Sequence, residues 1–264
     1  MLRTRLWTAA VALPATIAIL LFASNSVFTV FIALMTAWSL YEIIAMVKAK
    51  AVETLMVAIC GGGPAIYLLM NGGGSESTAV IVVIAAILPI LALVALVALE
   101  GAERVPRTWL VAIGALWVGM LFPYFALLRN APGGIPIIML TFLLVIASDS
   151  GAYFVGRSLG RTKLLLRVSP NKTVEGAIGG LAACVVAGII LRPLLAPRWT
   201  TGAVVIMAAV VGVLAQFGDA AGSAFKRVAG VKDSGWILPG HGGLIDRACS
   251  LFFAAAFTYY YLLG

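Results

Sequence analysis

Three aspartates in the second half of the chain stand where they could do chemistry. Asp149 closes an apolar run as Ser148-Asp149-Ser150-Gly151-Ala152-Tyr153, and Gly156-Arg157 follows. A carboxylate at the end of an apolar span is costly unless it is paired or faces water, so Asp149 is a functional candidate by default; an ion pair with Arg157 is the structural alternative. Asp219 opens the stretch Gly218-Asp219-Ala220-Ala221-Gly222-Ser223-Ala224-Phe225-Lys226-Arg227. At about 100° per residue, Asp219, Gly222, Ser223, Lys226 and Arg227 share one helical stripe, with Ala220, Ala221, Ala224, Phe225 and Val228 on the other side. That face offers a carboxylate, a hydroxyl and two cations, although a solvated amphipathic helix has the same pattern. Val231-Lys232-Asp233-Ser234-Gly235 then leads to the Gly-rich turn Pro239-Gly240-His241-Gly242-Gly243, which holds the single histidine, and to Asp246-Arg247. Carboxylates able to hold a hard cation, surrounded by Lys and Arg, suit phosphoryl or nucleotidyl transfer. The metal neutralises polyphosphate charge while the cations bind its oxygens.

Upstream, Ser169-Pro170-Asn171-Lys172-Thr173-Val174-Glu175-Gly176 reads as a helix start, with Pro in the first turn and an acid near the positive end of the dipole. Such an N-terminus beside Lys172 suits a phosphate. Gly176, Gly179 and Gly180 would allow close helix packing in a membrane. Gly156-Arg157-Ser158-Leu159-Gly160 fits the G-x-S-x-G pattern of serine hydrolases, but the nucleophile elbow needs a strand–turn–helix context that the end of a span does not offer.

The elements that position these residues must lie in lipid. The 264 residues are 62% hydrophobic and 11% charged, against about half apolar and about a quarter charged in globular chains. Mean hydropathy is +1.10. This excludes a soluble enzyme, a secreted disulfide scaffold and a disordered chain. Cys60, Cys184 and Cys249 are far apart, in no CxxC or Cys/His cluster, which argues against structural zinc and disulfides. The net charge of +8 reflects loop cations rather than nucleic-acid binding, because no basic stretch carries interleaved aromatics.

A hydrocarbon core about 30 Å thick takes roughly 20 apolar residues as helix. The pattern predicts an all-α polytopic membrane protein of about nine spans: 6–23, 27–47, 54–70, 78–99, 109–128, 135–155, 176–191, 203–218 and 248–263. Cytoplasmic polar loops and a short amphipathic helix complete it. The first run reads as an uncleaved span rather than a signal peptide. Gly61–Gly63 and Asn71–Gly74 read as flexible loop or helix ends. Residues 1–147 form an N-terminal transmembrane region that is mostly lipid-facing filler, and 148–264 a C-terminal catalytic region. With the N-terminus inside, only Arg129, Arg192 and Arg198 of the 18 Lys and Arg fall outside, leaving 15 on the cytoplasmic side. The positive-inside rule therefore places 156–175 and 219–247 in the cytoplasm.

Ser223-x-x-Lys226-Arg227, Lys232-Asp233 and Leu238-Pro239-x-His241-Gly242-Gly243-x-x-Asp246-Arg247 resemble the phosphatidate cytidylyltransferase (CDP-diacylglycerol synthase) family, as do Asp149, Tyr153, Gly156-Arg157, Ser169-Pro170, Lys172-Thr173 and Glu175-Gly176. The resemblance covers roughly residues 148–251. It implies a cell-membrane enzyme joining CTP and phosphatidate, or a related lipid phosphate, to give CDP-diacylglycerol and pyrophosphate, with the site on the cytoplasmic side. It implies Mg²⁺ on Asp219 and Asp246, and a catalytic set of Asp219, Asp246, Lys226, Arg227 and His241. Substrate binding falls to Lys172, Ser223, Lys232, Arg247, Arg157 and Asp149. CTP, the lipid phosphate and the bilayer are the expected partners, nucleic acid is not, and a homodimer is admitted. Two positions depart from the family: Gly-Asp-Leu-x-Glu-Ser is replaced by Gly218-Asp219-Ala220-Ala221-Gly222-Ser223, and Asp-Arg-x-Asp by Asp246-Arg247-Ala248-Cys249. Each loses a carboxylate, and a thiol is a poor substitute around Mg²⁺. Those losses leave a catalytically impaired homologue or a transporter as rival readings, alongside the same chemistry on another lipid phosphate.

Overall fold

In a computed structural model, residues 10, 14–73, 76–237 and 242–263 are described. Among the described residues, nine longer helical segments follow one another: α1 over 14–22, α2 (Asn25–Val47), α3 (Ala51–Asn71), α4 over 76–99, α5 (Arg107–Asn130, with a turn at 122–123), α6 (Gly134–Leu159), α7 (Val174–Leu195), α8 (Thr201–Ala229) and α9 (Leu244–Leu263). Among the described residues, six of these (α2, α3, α5, α6, α7 and α8) are long and apolar enough to cross a membrane. The apolar part of α4, Ile84–Leu99, is shorter. Residues 6–9 and 11–13 of the expected first span lie outside the described residues.

The ends of the helices are chemically marked. Ser24 caps α2 by accepting from the Val27 N–H, and Thr200 caps α8 by accepting from the Ala203 N–H. Gly230, at φ 71°, ends α8 in the left-handed conformation common at helix C-caps. Lipid tails are as apolar as leucine, so the bundle is held by van der Waals fit rather than by flight from water. The Trp117 ring of α5 meets Phe252 edge-on at 5.3 Å and lies 6.3 Å from Phe225 and from Phe253, joining α5, α8 and α9.

Three local expectations are corrected. Gly61–Gly63 lie inside α3, not in a loop; a π-turn over Ala58–Gly62 brings Gly61 against Gly119 of α5, where a side chain on Gly119 would strike the Gly61 backbone. The amphipathic stretch after residue 218 is not a separate short helix but the end of α8. Finally, Ser169-Pro170 does not begin a helix. Ser169–Thr173 (β2) pairs antiparallel with Lys163–Leu165 (β1), so one β-hairpin interrupts the helices, and α7 starts at Val174. Thr173 is the true N-cap, accepting from the Gly176 N–H at 3.1 Å. Pro170 is tolerated because a two-stranded hairpin has only edge strands.

At 1.5 Å per residue, α6 and α8, with 26 and 29 residues, run about 39 and 43 Å, roughly 10 Å beyond a 30 Å hydrocarbon core. The polar end of α6, the hairpin, the N-terminus of α7 and the Gln216–Ala220 stretch of α8 meet around a common cavity.

Candidate active site

Small residues let the site's helices approach. Gly176, Gly179 and Gly180 of α7 face α6: a methyl on Gly180 would lie 2.7 Å from the Ser148 carbonyl, and one on Gly179 would lie 2.5 Å from Val155. Beyond this seam opens a cavity of about 500 Å³, lined by α6, the hairpin, the start of α7 and α8. Asp149, Arg157, Lys172 and Asp219 all line it, with Tyr153, Asn171 and Gln216. Lys172 Nζ sits 2.7 Å from Asp219 Oδ2, and the Lys172 side chain is 25% exposed against 44% for Asp219. Lys172 also donates to the Gln216 carbonyl at 3.4 Å. Asp149 lines the same cavity as Lys172. Arg157 instead donates to the Tyr153 hydroxyl at 3.0 Å. Glu175 fastens the hairpin by accepting from the Arg161 and Thr162 N–H groups.

A second cluster lies deeper, where α8 meets the start of α9. Lys226 Nζ is 2.5 Å from Asp246 Oδ1. Asp246 Oδ2 accepts from the Ser234 N–H at 2.7 Å, the Ser234 hydroxyl at 3.0 Å and the Gly243 N–H at 3.0 Å. Asp246 lies in the first turn of α9, ahead of its apolar stretch. Burial opposes its charge, but the Lys226 ammonium and the Ser234 and Gly243 N–H groups outweigh burial and hold its carboxyl below the usual range.

The expected residues therefore fall into two groups, the cavity set and the Lys226–Asp246 pair. Ser223 is half-buried on the α8 face between them. Arg227 turns to the hairpin loop, donating to the Val168 carbonyl at 3.3 Å. Lys232 and Arg247 are exposed, and none of these three lines the cavity. His241 lies outside the described residues. Ser158 donates to the Phe154 carbonyl in the last turn of α6, so the hydrolase elbow has no structural counterpart.

One residue was missed. Glu42 of α2, assigned to lipid-facing filler, is only 2% exposed. It accepts from the Trp38 indole, the Ser234 hydroxyl and the Leu244 and Ile245 N–H groups. An acid inside an apolar span was the available signal.

Among the described residues, no group of three His, Cys, Asp or Glu is placed to hold a metal ion. Mg²⁺ does not require one. It commonly keeps several waters and binds through one or two carboxylates together with substrate phosphates. Asp219 lies between Gly218 and Gly222 of α8, which both meet Cys249 of α9, one helical turn after Asp246, so two carboxylates on adjoining helices fit that limited role.

The model of the cytidylyltransferase family matches residues 3–263. A phosphatidate cytidylyltransferase of Bacillus subtilis is 33% identical over 241 residues, 89% of this chain and 88% of its own length. One of Brucella suis is 40% identical over 195 residues, covering 74% of this chain and 68% of its own. An uncharacterized Escherichia coli protein is 35% identical over 211 residues, covering 76% and 68%.

Proposed function

The chain belongs to the cytidylyltransferase family, and from that premise we propose that it joins CTP and phosphatidate to give CDP-diacylglycerol and pyrophosphate. A phosphatidate oxygen attacks the α-phosphorus of CTP. The bond from that phosphorus to the oxygen bridging it to the β-phosphorus breaks, and pyrophosphate leaves. The observation that carries this reading is the cavity where Asp149, Arg157, Lys172 and Asp219 converge at one end of an apolar bundle. A polar cavity at the end of a bundle can take a nucleotide from water and a lipid from the membrane. A transporter would be expected to gather its polar groups near the midplane.

Lys172 and Arg157 are assigned the phosphate oxygens, with Lys226 extending that positive surface toward α9. Asp219 and Asp246 would hold Mg²⁺, which when bound neutralises charge on the polyphosphate. Lys172 and Lys226 each neutralise one of these carboxylates, so they hold the acids in place while the site is empty and turn to phosphate when it fills. The protein is a multi-pass membrane protein. We place it in the cytoplasmic membrane with all nine helices spanning, the N-terminus inside and the cavity facing the cytoplasm, on the strength of the cation count.

Purified protein, Mg²⁺, labelled CTP and a panel of lipid phosphates test this reading. Label should pass into the organic phase with phosphatidate. Label with another acceptor alone would reassign the lipid, and none with any acceptor would remove the enzyme reading.

A further inference from the structure

Glu42 stands on the second helix, far in sequence from every residue assigned to the reaction, yet it touches the loop and helix that present Asp246. Its four partners are all donors. Trp38 Nε1 and the Leu244 N–H reach one carboxyl oxygen at 3.1 and 2.8 Å, and the Ser234 hydroxyl and the Ile245 N–H reach the other at 3.0 Å each. Two of those donors are the first N–H groups of α9, which have no partner within the helix. The acid from α2 therefore serves as the missing cap of α9.

The Ser234 hydroxyl is the link to the site. It lies 3.0 Å from Glu42 Oε2 and 3.0 Å from Asp246 Oδ2. A hydroxyl has one proton and can donate to only one of two carboxylates at a time. The same oxygen is 3.3 Å from the Asp246 N–H, which donates to it. Ser234 is itself buried, at 3% exposure. The packing leaves little slack, because a side chain on Gly243 would collide with Ser234 Oγ and Glu42 Oε2, and one on Gly235 would lie 2.7 Å from Glu42 Oε1. Glu42, Ser234, Asp246 and Lys226 thus form one continuous chain of polar contacts from α2 to α8.

We propose that Glu42 is a positioning residue for the transfer reaction, fixing Ser234 and the first turn of α9 so that Asp246 meets Lys226. The proposal rests on the function given above. A group that merely filled space would affect how much protein folds. A positioning group sets the turnover of the protein that has folded.

The test uses the full chain in detergent, with CTP, phosphatidate and Mg²⁺, measuring kcat, KM for CTP and melting temperature for wild type, Glu42→Gln, Glu42→Leu, Ser234→Ala and the Glu42→Gln/Ser234→Ala pair. In folded Glu42→Gln and Ser234→Ala, kcat should fall tenfold or more, with KM for CTP within about threefold because the cavity is intact. Glu42→Gln, which keeps one acceptor oxygen, should retain more activity than Glu42→Leu. The double variant should lose no more than the worse single one, as expected for members of one network. Where Glu42→Gln does not fold, Ser234→Ala and its kcat-against-KM split decide the question. Unchanged kcat with only a lower melting temperature, or losses that multiply in the double variant, would overturn the proposal while leaving the function intact. Absence of lipid product from the wild type would instead overturn the underlying reading, and the proposal with it.

Discussion

Asp246→Asn is the most informative single change in the site. The wild-type carboxylate uses one oxygen for Lys226 at 2.5 Å and the other for three donors from Ser234 and Gly243. An asparagine must turn its NH₂ toward one of these sets, so a donor faces donors whichever way it flips. A hydrogen bond to a charged group contributes about 1.5–3 kcal/mol, which corresponds to roughly ten- to a hundredfold. Turnover should fall by about 10² or somewhat more once the loss of a preorganised charge is included. Lys226 would also be left beside a neutral partner, and breaking a buried pair costs more than replacing both members. Asp246→Asn should therefore melt below wild type, and adding Lys226→Met should recover part of that stability without recovering turnover. The pH dependence has a definite sign. A carboxyl held low when folded stabilises the protein above its unfolded value, near pH 4, and that stabilisation is lost as pH falls through the folded value. Acidification below about pH 4 should then lower the melting temperature of wild type more steeply than that of Asp246→Asn. Near-normal turnover in folded Asp246→Asn would refute the role and pass the carboxylate function to Asp149.

Asp219→Asn should also cost roughly 10² in turnover, while Asp233→Asn, on the exposed loop, should cost far less; equal losses would dissolve the distinction between site and loop. On a background lacking Cys60, Cys184 and Cys249, Lys163→Cys and Lys232→Cys should resist a membrane-impermeant thiol reagent in intact cells, and Arg198→Cys should react. The reverse pattern would invert the assigned orientation. Gly222→Glu together with Cys249→Asp should lower the half-saturating Mg²⁺ concentration by about tenfold, roughly 1.4 kcal/mol. An unchanged or raised requirement would show that these two departures do not weaken the metal site.

The long helices were legible because a run of apolar residues has few alternatives in lipid, and the polar stripe of α8 followed from its 3.6-residue period. The hairpin was not, because Ser169-Pro170 is compatible with both a helix start and an edge strand. The pairing of Lys163 with Thr173 decides between them. Asp149, Arg157, Lys172 and Asp219 were each visible as candidates, but their convergence on one cavity was not, since it depends on how α6, α7 and α8 pack. Glu42 was legible in kind and not in role. Its acid stood out within an apolar span, but Ser234, Leu244 and Ile245 lie some 190 residues or more away. Arg129 shows the same limit. Its guanidinium is buried and closes the α1–α2 connection by donating to the Leu20 and Ala23 carbonyls and to Asn25, which no local spacing announces.

The two departures from the family pattern, Gly222 and Cys249, are one structural change. They touch: a methyl on Gly222 would lie 3.1 Å from both Cβ and Sγ of Cys249, and a side chain on the neighbouring Gly218 would strike the Cys249 carbonyl. The helices α8 and α9 are therefore in close contact where two acids would otherwise stand, and both residues are buried in that contact. A glutamate at 222 alone would press on the Cys249 side chain, which lies 3.1 Å from a methyl at that position, and an aspartate at 249 alone would place a second charge in a closed seam where Lys226 is already paired with Asp246. Small residues on each side make the other tolerable. The consequence for the site follows from helix geometry. Asp219 and Lys226 are seven residues apart, about 10 Å along α8, and Asp246 faces Lys226. The two surviving carboxylates thus sit at opposite ends of the segment that the missing acids would have bridged. That separation accounts for the lack of a three-acid cluster among the described residues. Substrate phosphates would then complete the coordination of an Mg²⁺ held by Asp219 and Asp246.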